Sequence, residues 1–295
     1  MSKGRKGARL TGRRDYDILM FIWNWKVVGT DTLHEIFFSN AAHRTCYNRL
    51  RKLELAKYLD QVFVKESNRK AWTITRKGFG VIKEFLVELR ETGFKSEAPC
   101  HDYVASRFQL GDFARSKPQC VEFVTEQMLR RCEPCLLPSW LNSGMKRRPD
   151  GYTAISKAPR LIVTAIEFER TPKDNNAYFH IAIEYMIANG IDYVLWLLPT
   201  RSQVARIDRL MAEHGSSQTR KHQFVLLDDF LQSGWGASVI QGSHSGKSVR
   251  QFFESQMPST ELSKKQEAPP YVPSHPQDNP RENPVKLPVL CAEGS

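Results

Sequence analysis

The chain has 295 residues, 41% of them hydrophobic, and a formal net charge of +11. This length suffices for two domains with cores and a tail, and the excess of cations indicates an anionic partner, nucleic acid first and an acidic membrane surface second. No run of about 20 apolar residues is present, and no apolar segment follows the basic N-terminus. We therefore expect no spanning helix, no secretory signal and a cytoplasmic protein with reduced cysteines.

Residues 1–14 form a basic arm without a single acidic side chain. Such a composition predicts disorder in the free protein, because it offers almost no apolar surface to bury. The arm either orders on phosphates or only adds solubility, and the sequence leaves both open.

Residues 15–95 predict a first domain of helices followed by a β-hairpin. The apolar side chains between Tyr16 and Trp23 recur at helical spacing, and a polar loop separates two short β-prone runs. The predicted elements are a first helix from Asp15, helices Asp31–Phe38 and Ala41–Ala56, strands Gln61–Lys65 and Ala71–Thr75, and a helix Phe79–Glu91.

The third of these helices has one apolar face and one basic, polar face. Three helices and a hairpin with a basic tip predict a winged helix-turn-helix domain that binds double-stranded DNA, because a basic helix face fits the major groove and a wing reaches phosphates. The alternatives are a solvated surface or a protein-docking module. The predicted DNA-binding residues are Arg44, Thr45, Asn48, Arg49, Arg51 and Lys52 on the helix, and Arg69 and Lys70 at the wing.

Residues 100–232 predict a second domain of the α/β class with a central mixed sheet. Continuous apolar runs flanked by helical patterns indicate a sheet covered on both faces. The predicted elements are helix Gln119–Arg131, strands Cys135–Trp140, Asp150–Ile155 and Leu161–Glu169, helix Asn175–Ala188, strand Asp192–Leu198, helix Arg201–His214 and strand Gln223–Leu227.

Three carboxylates mark the ends of the two central strands. If these strands pair as a hairpin through Ser156–Arg160, Asp150 lies beside Glu167 and Glu169. Converging carboxylates repel one another and are costly to bury without a cation, and hard divalent ions take oxygen ligands of this kind. The alternative is that these acids are solvent-facing strand ends paired with arginines.

The order helix, three strands, helix, strand is similar to the PD-(D/E)xK, restriction-endonuclease-like fold. Residues 12–230 resemble the replication-relaxation family of MobC-type plasmid mobilisation relaxases, in which a winged helix precedes a nuclease-like domain. The resemblance is carried by three short motifs: His101-Asp102, Arg148-Pro149-Asp150-Gly151 and Glu167-Phe168-Glu169-Arg170.

This resemblance implies DNA nicking with Mg²⁺ or Mn²⁺. Asp150 and Glu167 would be metal ligands, with Glu126, or less favourably Glu122, contributing from the first helix. The family's lysine two residues after Glu167 is Glu169 here. The sequence leaves three alternatives open. Arg170 or Lys173 supplies the positive charge of the missing lysine, the third acid Glu169 recruits a second metal ion, or the domain is an inactive DNA-binding relic.

The expected partners are origin-like DNA and an accessory or coupling mobilisation protein, with a homodimer left open and no membrane. The rival function is a non-catalytic DNA-binding regulator or replication accessory protein. Residues 233–295 predict a flexible linker and a disordered, proline-rich tail, and the glycine- and serine-rich run 242–248 is part of that linker.

Overall fold

The computed structural model describes residues 10–86, 96, 98–109, 121–131, 137–141, 148–157, 160–213 and 220–257. The chain is of mixed α/β type, and its contacts divide it into two compact units at Arg107/Phe108. Among the described residues, no helix combines the length and apolar character needed to cross a bilayer. The predicted arm (its first nine residues) and the tail beyond Met257 lie outside the described residues.

The first unit contains a three-stranded antiparallel sheet in the order β1-β3-β2. The first three predicted helices and the hairpin are present with bounds shifted by one or two residues, and Val28–Gly29 forms an additional short strand. The predicted helix Phe79–Glu91 is wrong in its bounds, because the α-helix runs from Arg76 to Ile82 and a short 3-10 helix follows at Lys83–Phe85. Residues 87–91 lie outside the described residues. The elements are α1 (Arg13–Trp25), β1 (Val28–Gly29), α2 (Thr30–Phe37), α3 (His43–Leu55), β2 (Leu59–Val64), β3 (Arg69–Ile74) and α4 (Arg76–Ile82), and α5 (Pro99–Gln109) runs into the second unit.

Gly78 explains the turn from β3 into α4. The Thr75 side chain caps this helix by accepting from the Gly78 N–H at 3.1 Å, and its hydroxyl lies 2.6 Å from the Lys57 carbonyl. A Cβ at Gly78 would stand 2.2 Å from the Tyr58 carbonyl oxygen. The helix therefore starts against the backbone that precedes β2, and only glycine allows that approach.

The second unit is built on a six-stranded mixed sheet in the order β4-β5-β6-β7-β8-β9. The pairs β6-β7 and β7-β8 are parallel, and the other three are antiparallel. The elements are β4 (Val121–Thr125), α6 (Glu126–Arg131), β5 (Gly151–Lys157), β6 (Arg160–Phe168), α7 (Asn175–Ile187), β7 (Tyr193–Leu198), α8 (Arg201–Glu213), β8 (His222–Leu226), α9 (Leu227–Ser233), β9 (Val239–Gln241) and α10 (Val249–Glu254).

Side chains cover both faces of this sheet. On one face, alternate residues of β5, β6 and β7 pack with the buried sides of α7 and α8, including Tyr178, Tyr185 and Ile207. On the other, Phe108 lies within about 6 Å of the rings of Phe168, Phe230, Trp235 and Phe253. The predicted sheet with two covered faces is confirmed.

The predicted helix Gln119–Arg131 is wrong in its first half. Residues 121–125 form β4, which pairs with β5 from Val121↔Ile155 to Thr125↔Gly151. Its sequence Val-Glu-Phe-Val-Thr is rich in β-branched and aromatic residues, which favour a strand once a partner strand is available. The helix begins only at Glu126.

The predicted strand Cys135–Trp140 is also wrong where it can be compared. Residues 137–141 contain no strand, and the Leu141 N–H donates to the Pro138 carbonyl at 3.0 Å in a turn. Pro138 has no N–H for a ladder, which accounts for the difference. Residues 135 and 136 lie outside the described residues.

The segment 233–257, predicted as a flexible linker, is ordered. Trp235, Phe252 and Phe253 are buried, and the Trp235 Nε1–H donates to the Phe108 carbonyl at 2.6 Å. The glycine-rich run 242–248 is a turn between β9 and α10, tied by the Val239 N–H to the Lys247 carbonyl at 2.8 Å. Segment 233–257 has too few apolar residues to show a periodic pattern. These residues are buried by contacts with residues that are far away in sequence, such as Phe108.

We expect Gly78→Ala to lower the free energy of unfolding by about 2 kcal/mol, because the new Cβ meets backbone that has to shift. Gly80→Ala on the same helix is the matched control. Its Cβ would meet nothing within 4 Å, so it should be neutral or stabilising by about 0.5 kcal/mol. Urea unfolding of the full chain, with amide hydrogen exchange reporting on the first unit, measures the free energy of unfolding of both variants. Equal losses of stability in Gly78→Ala and Gly80→Ala would contradict this explanation.

Candidate functional site

Helix α3 presents the basic face that its sequence predicts. Arg44, Thr45, Asn48 and Lys52 are exposed, whereas the opposite side of the helix is buried in the core of the first unit. Burial raises the pKa of the Cys46 thiol on that inner side to about 12, so it stays protonated. Four of the six side chains predicted to bind DNA on α3 are therefore open to solvent.

Arg49 does not belong to this exposed face. Its Nε donates to Asp15 Oδ1 at 2.8 Å and a second guanidinium nitrogen to Asp15 Oδ2, while the Asp15 side chain is only 1% exposed. The bidentate pair joins α3 to α1 and raises the pKa of Arg49 mainly through that hydrogen bond. Arg49 is thus a structural residue, because removing it would leave Asp15 buried without this partner.

The remaining predicted cations are partly engaged. Arg51 pairs with Glu54 on its own helix. At the hairpin, Lys70 is exposed and Arg69 donates to Asp31 Oδ2 at 2.7 Å, while His43 Nε2 lies 3.0 Å from Asp31 Oδ1. Asp31 therefore connects the start of α3 to the hairpin on a largely exposed surface.

The second unit places three acidic residues in one row across neighbouring strands. Thr125 pairs with Gly151, and Gly151 pairs with Ile166. One position further along this ladder, all three segments have an acidic residue: Glu126, Asp150 and Glu167. The ladder extends to this row, because the Glu126 N–H donates to the Asp150 carbonyl at 3.1 Å and the Asp150 N–H to the Ile166 carbonyl at 3.0 Å. Opposed residues of antiparallel strands share a face, so the three acids are neighbours.

Backbone contacts fix the orientation of Asp150. Its Oδ2 accepts from the Phe168 N–H at 2.5 Å, which ties the carboxylate to the end of β6. Gly151 follows directly, and a Cβ there would lie 3.2 Å from the Val124 carbonyl. The tight pairing of β4 with β5 therefore sets where Asp150 stands relative to Glu126.

Two described acids of the second unit, Glu126 and Asp150, are placed so that they could hold a metal ion. Each offers one carboxylate oxygen, and these two oxygens lie within 4.8 Å of each other. Both residues are among the metal ligands that the sequence predicts, and their oxygens are close enough to contact one ion. Glu126 and Asp150 both belong to the second unit and provide its pair of candidate carboxylate ligands.

Glu167 lies in the same row as Glu126 and Asp150. It is 4% exposed, and its Oε1 accepts a hydrogen bond from the Tyr185 hydroxyl on α7. Tyr178 and Tyr185, both on α7, are 0% exposed. Sequence reasoning missed the contact of Tyr185 with Glu167; the spacing of seven residues between these tyrosines, two helical turns, does place both on the face toward the sheet.

Glu169 and Lys173 form an ion pair after the end of β6. Glu169 is 7% exposed, and its Oε2 accepts from the Lys173 Nζ. Lys173 is thus held at Glu169, whereas Arg170 is exposed. The charge of Lys173 therefore balances the Glu169 carboxylate.

Glu122 forms a hydrogen bond outside the acidic row. Its Oε2 accepts from the Trp140 Nε1–H at 2.6 Å. A predicted helix would have put Glu122 and Glu126 on one side, one turn apart. Instead, Glu122 lies within β4 and Glu126 begins α6, so the two acids have separate roles.

No family model, curated protein or solved structure matches this chain.

We expect Asp150→Asn and Glu126→Gln each to weaken Mn²⁺ binding at least about tenfold, because each removes a charged oxygen ligand. Glu122→Gln is the matched control, since its carboxylate is engaged with Trp140. Titration calorimetry with the full chain gives the affinities. Equal loss in Glu122→Gln, or none in the other two, would exclude the proposed pair as ligands.

Proposed function

We propose that this protein is a metal-dependent DNA-nicking enzyme, a relaxase-type endonuclease of the replication-relaxation kind. The observation that carries the proposal is the row Glu126, Asp150 and Glu167 at the ends of three adjacent strands. Carboxylates gathered in this way suit Mg²⁺ or Mn²⁺, and phosphodiester cleavage is chemistry that such ions support.

In this proposal, each acid has a distinct task. Asp150, which precedes β5 and is oriented by the Phe168 N–H, and Glu126, the first residue of α6, offer the metal two oxygens. Glu167 stands beside them with one oxygen held by Tyr185. When bound, the ion would polarise the scissile phosphate and acidify a water molecule. The chain's own contribution is to hold these oxygens in place before the substrate arrives.

We further propose that the first unit is a winged helix that holds the DNA. Arg44, Asn48 and Lys52 on α3 would enter the major groove, and Lys70 at the hairpin would reach a neighbouring phosphate. The net charge of +11 agrees with a phosphate-rich partner. The second unit would then be the nuclease-like domain, and an accessory mobilisation protein would complete the assembly on the DNA.

A second function is favoured by one specific contact. Lys173 is paired with Glu169, and such a pair provides no unbalanced cation beside Glu167. Without a cation to stabilise the developing charge, the second unit would bind DNA without cutting it, as in a regulator or replication accessory protein. A cleavage assay separates this function from the enzyme.

The test uses supercoiled plasmid that carries the DNA flanking the coding sequence, incubated with Mg²⁺ or Mn²⁺. We expect open-circle product from the natural protein and none from Asp150→Asn or Glu167→Gln, whose affinity for the DNA should persist. Glu122→Gln serves as the control that still nicks. Absence of product with either metal supports the regulator, and linear product indicates cleavage of both strands.

DNA binding is tested separately from cleavage. We expect Arg44→Ala and Lys52→Ala to weaken binding and each to reduce the slope of log K against log[salt] by about 1, because each removes one phosphate contact. Lys83→Ala, an exposed cation outside α3 and the hairpin, is the control with the same loss of charge. Unchanged affinity in both α3 variants would remove this helix from the interface.

A further inference from the structure

Tyr185 makes a buried hydrogen bond to an acid of the proposed metal site. Tyr185 is 0% exposed, Glu167 is 4% exposed, and the phenol donates to Glu167 Oε1. A carboxylate in such surroundings cannot rely on water for its hydrogen bonds. The phenol therefore fixes the orientation of the Glu167 carboxylate.

The rings around Tyr185 hold it in that position. Its ring meets Trp196 edge to face at 6.4 Å between centroids and lies 6.5 Å from His222. The Trp196 Nε1–H donates to His222 Nδ1 at 3.0 Å, which fixes the proton of the neutral imidazole on Nε2. Burial lowers the pKa of His222 to about 3, so this support stays uncharged at neutral pH.

In this arrangement Glu167 corresponds to a metal ligand, and Tyr185 corresponds to the neighbour that orients it. Metal-binding carboxylates depend on hydrogen-bonded neighbours for their orientation, and loss of such a neighbour typically costs about 10- to 100-fold in metal affinity or activity. The same helix carries a matched tyrosine: Tyr178 is equally buried, but its hydroxyl accepts from the Lys173 N–H at 3.2 Å instead.

We propose that Tyr185 is a positioning residue that holds the Glu167 carboxylate in the orientation required for a divalent cation. This inference rests on the proposed function, because it assigns a role toward the ion that the acidic row would bind. Tyr185 acts through Glu167 and has no contact with DNA in this role, in keeping with its complete burial.

The test measures Mn²⁺ affinity of the full chain by titration calorimetry, without DNA. We expect Tyr185→Phe to weaken binding about tenfold or more and Tyr178→Phe to leave it unchanged. In the Glu167→Gln background, Tyr185→Phe should have no further effect, because the group through which it acts is gone. Additive losses in that double variant, or wild-type affinity in Tyr185→Phe, would overturn the proposal.

A second measurement observes Tyr185 in the natural protein, so its main result does not depend on whether Tyr185→Phe folds. With tyrosine labelled by ¹³C at Cζ, Mg²⁺ added to the natural protein should shift the Tyr185 resonance and leave that of Tyr178 in place. The shift should vanish in Glu167→Gln. A Tyr185 resonance that does not shift at saturating Mg²⁺ would overturn the positioning role.

Failure of this inference differs from failure of the proposed function. If the natural protein binds Mn²⁺ and nicks DNA while Tyr185→Phe behaves like it, only the role of Tyr185 is lost. If the natural protein neither binds Mn²⁺ nor nicks, the proposed function fails together with the inference.

Discussion

The pairing of β4, β5 and β6 is the constraint on which the candidate site depends. Since each residue of a strand faces a fixed partner, the register that joins Thr125, Gly151 and Ile166 also aligns the acids one position further on. A slip by one residue would turn the side chains of a strand to the other face and separate them. The acidic row is thus a consequence of the same ladder that builds the sheet.

Gathering carboxylates has an electrostatic cost, and the surrounding contacts are arranged to offset it. Asp150 accepts a backbone N–H, Glu167 accepts a phenol, and Glu169 pairs with Lys173. Each of these three carboxylates thereby has a hydrogen-bond donor within the protein, which offsets part of the cost of removing it from water. In the first unit, the ion pair of Arg49 with buried Asp15 has a comparable structural role between two helices.

The parts of the fold that sequence predicted well are those with a strong local signal. The β-branched run before Glu167 and the helical spacing on α3 required no knowledge of distant partners. The strand Val121–Thr125 was missed because its short pattern is equally compatible with a helix until β5 lies beside it. The order at 233–257 was missed for a similar reason, since Trp235, Phe252 and Phe253 are buried against residues far away in sequence.

For the candidate site, as for the fold, the sequence predicted individual residues better than the contacts between them. From the sequence, Asp150, Glu126 and Glu167 could be named as candidate ligands. The ion pair of Arg49 with Asp15 and the hydrogen bond from Tyr185 to Glu167 could not be predicted. Both are contacts between elements, and the sequence marks neither residue by its type. Long-range pairing decides such details, and a single sequence contains little information about it.

The most direct test of the acidic row is the location of a bound ion. Crystals soaked in Mn²⁺ should show an anomalous difference peak between the carboxylates of Glu126 and Asp150, with Glu167 beside it. A peak elsewhere in the second unit, or no peak while these carboxylates point away from one another, would contradict the account.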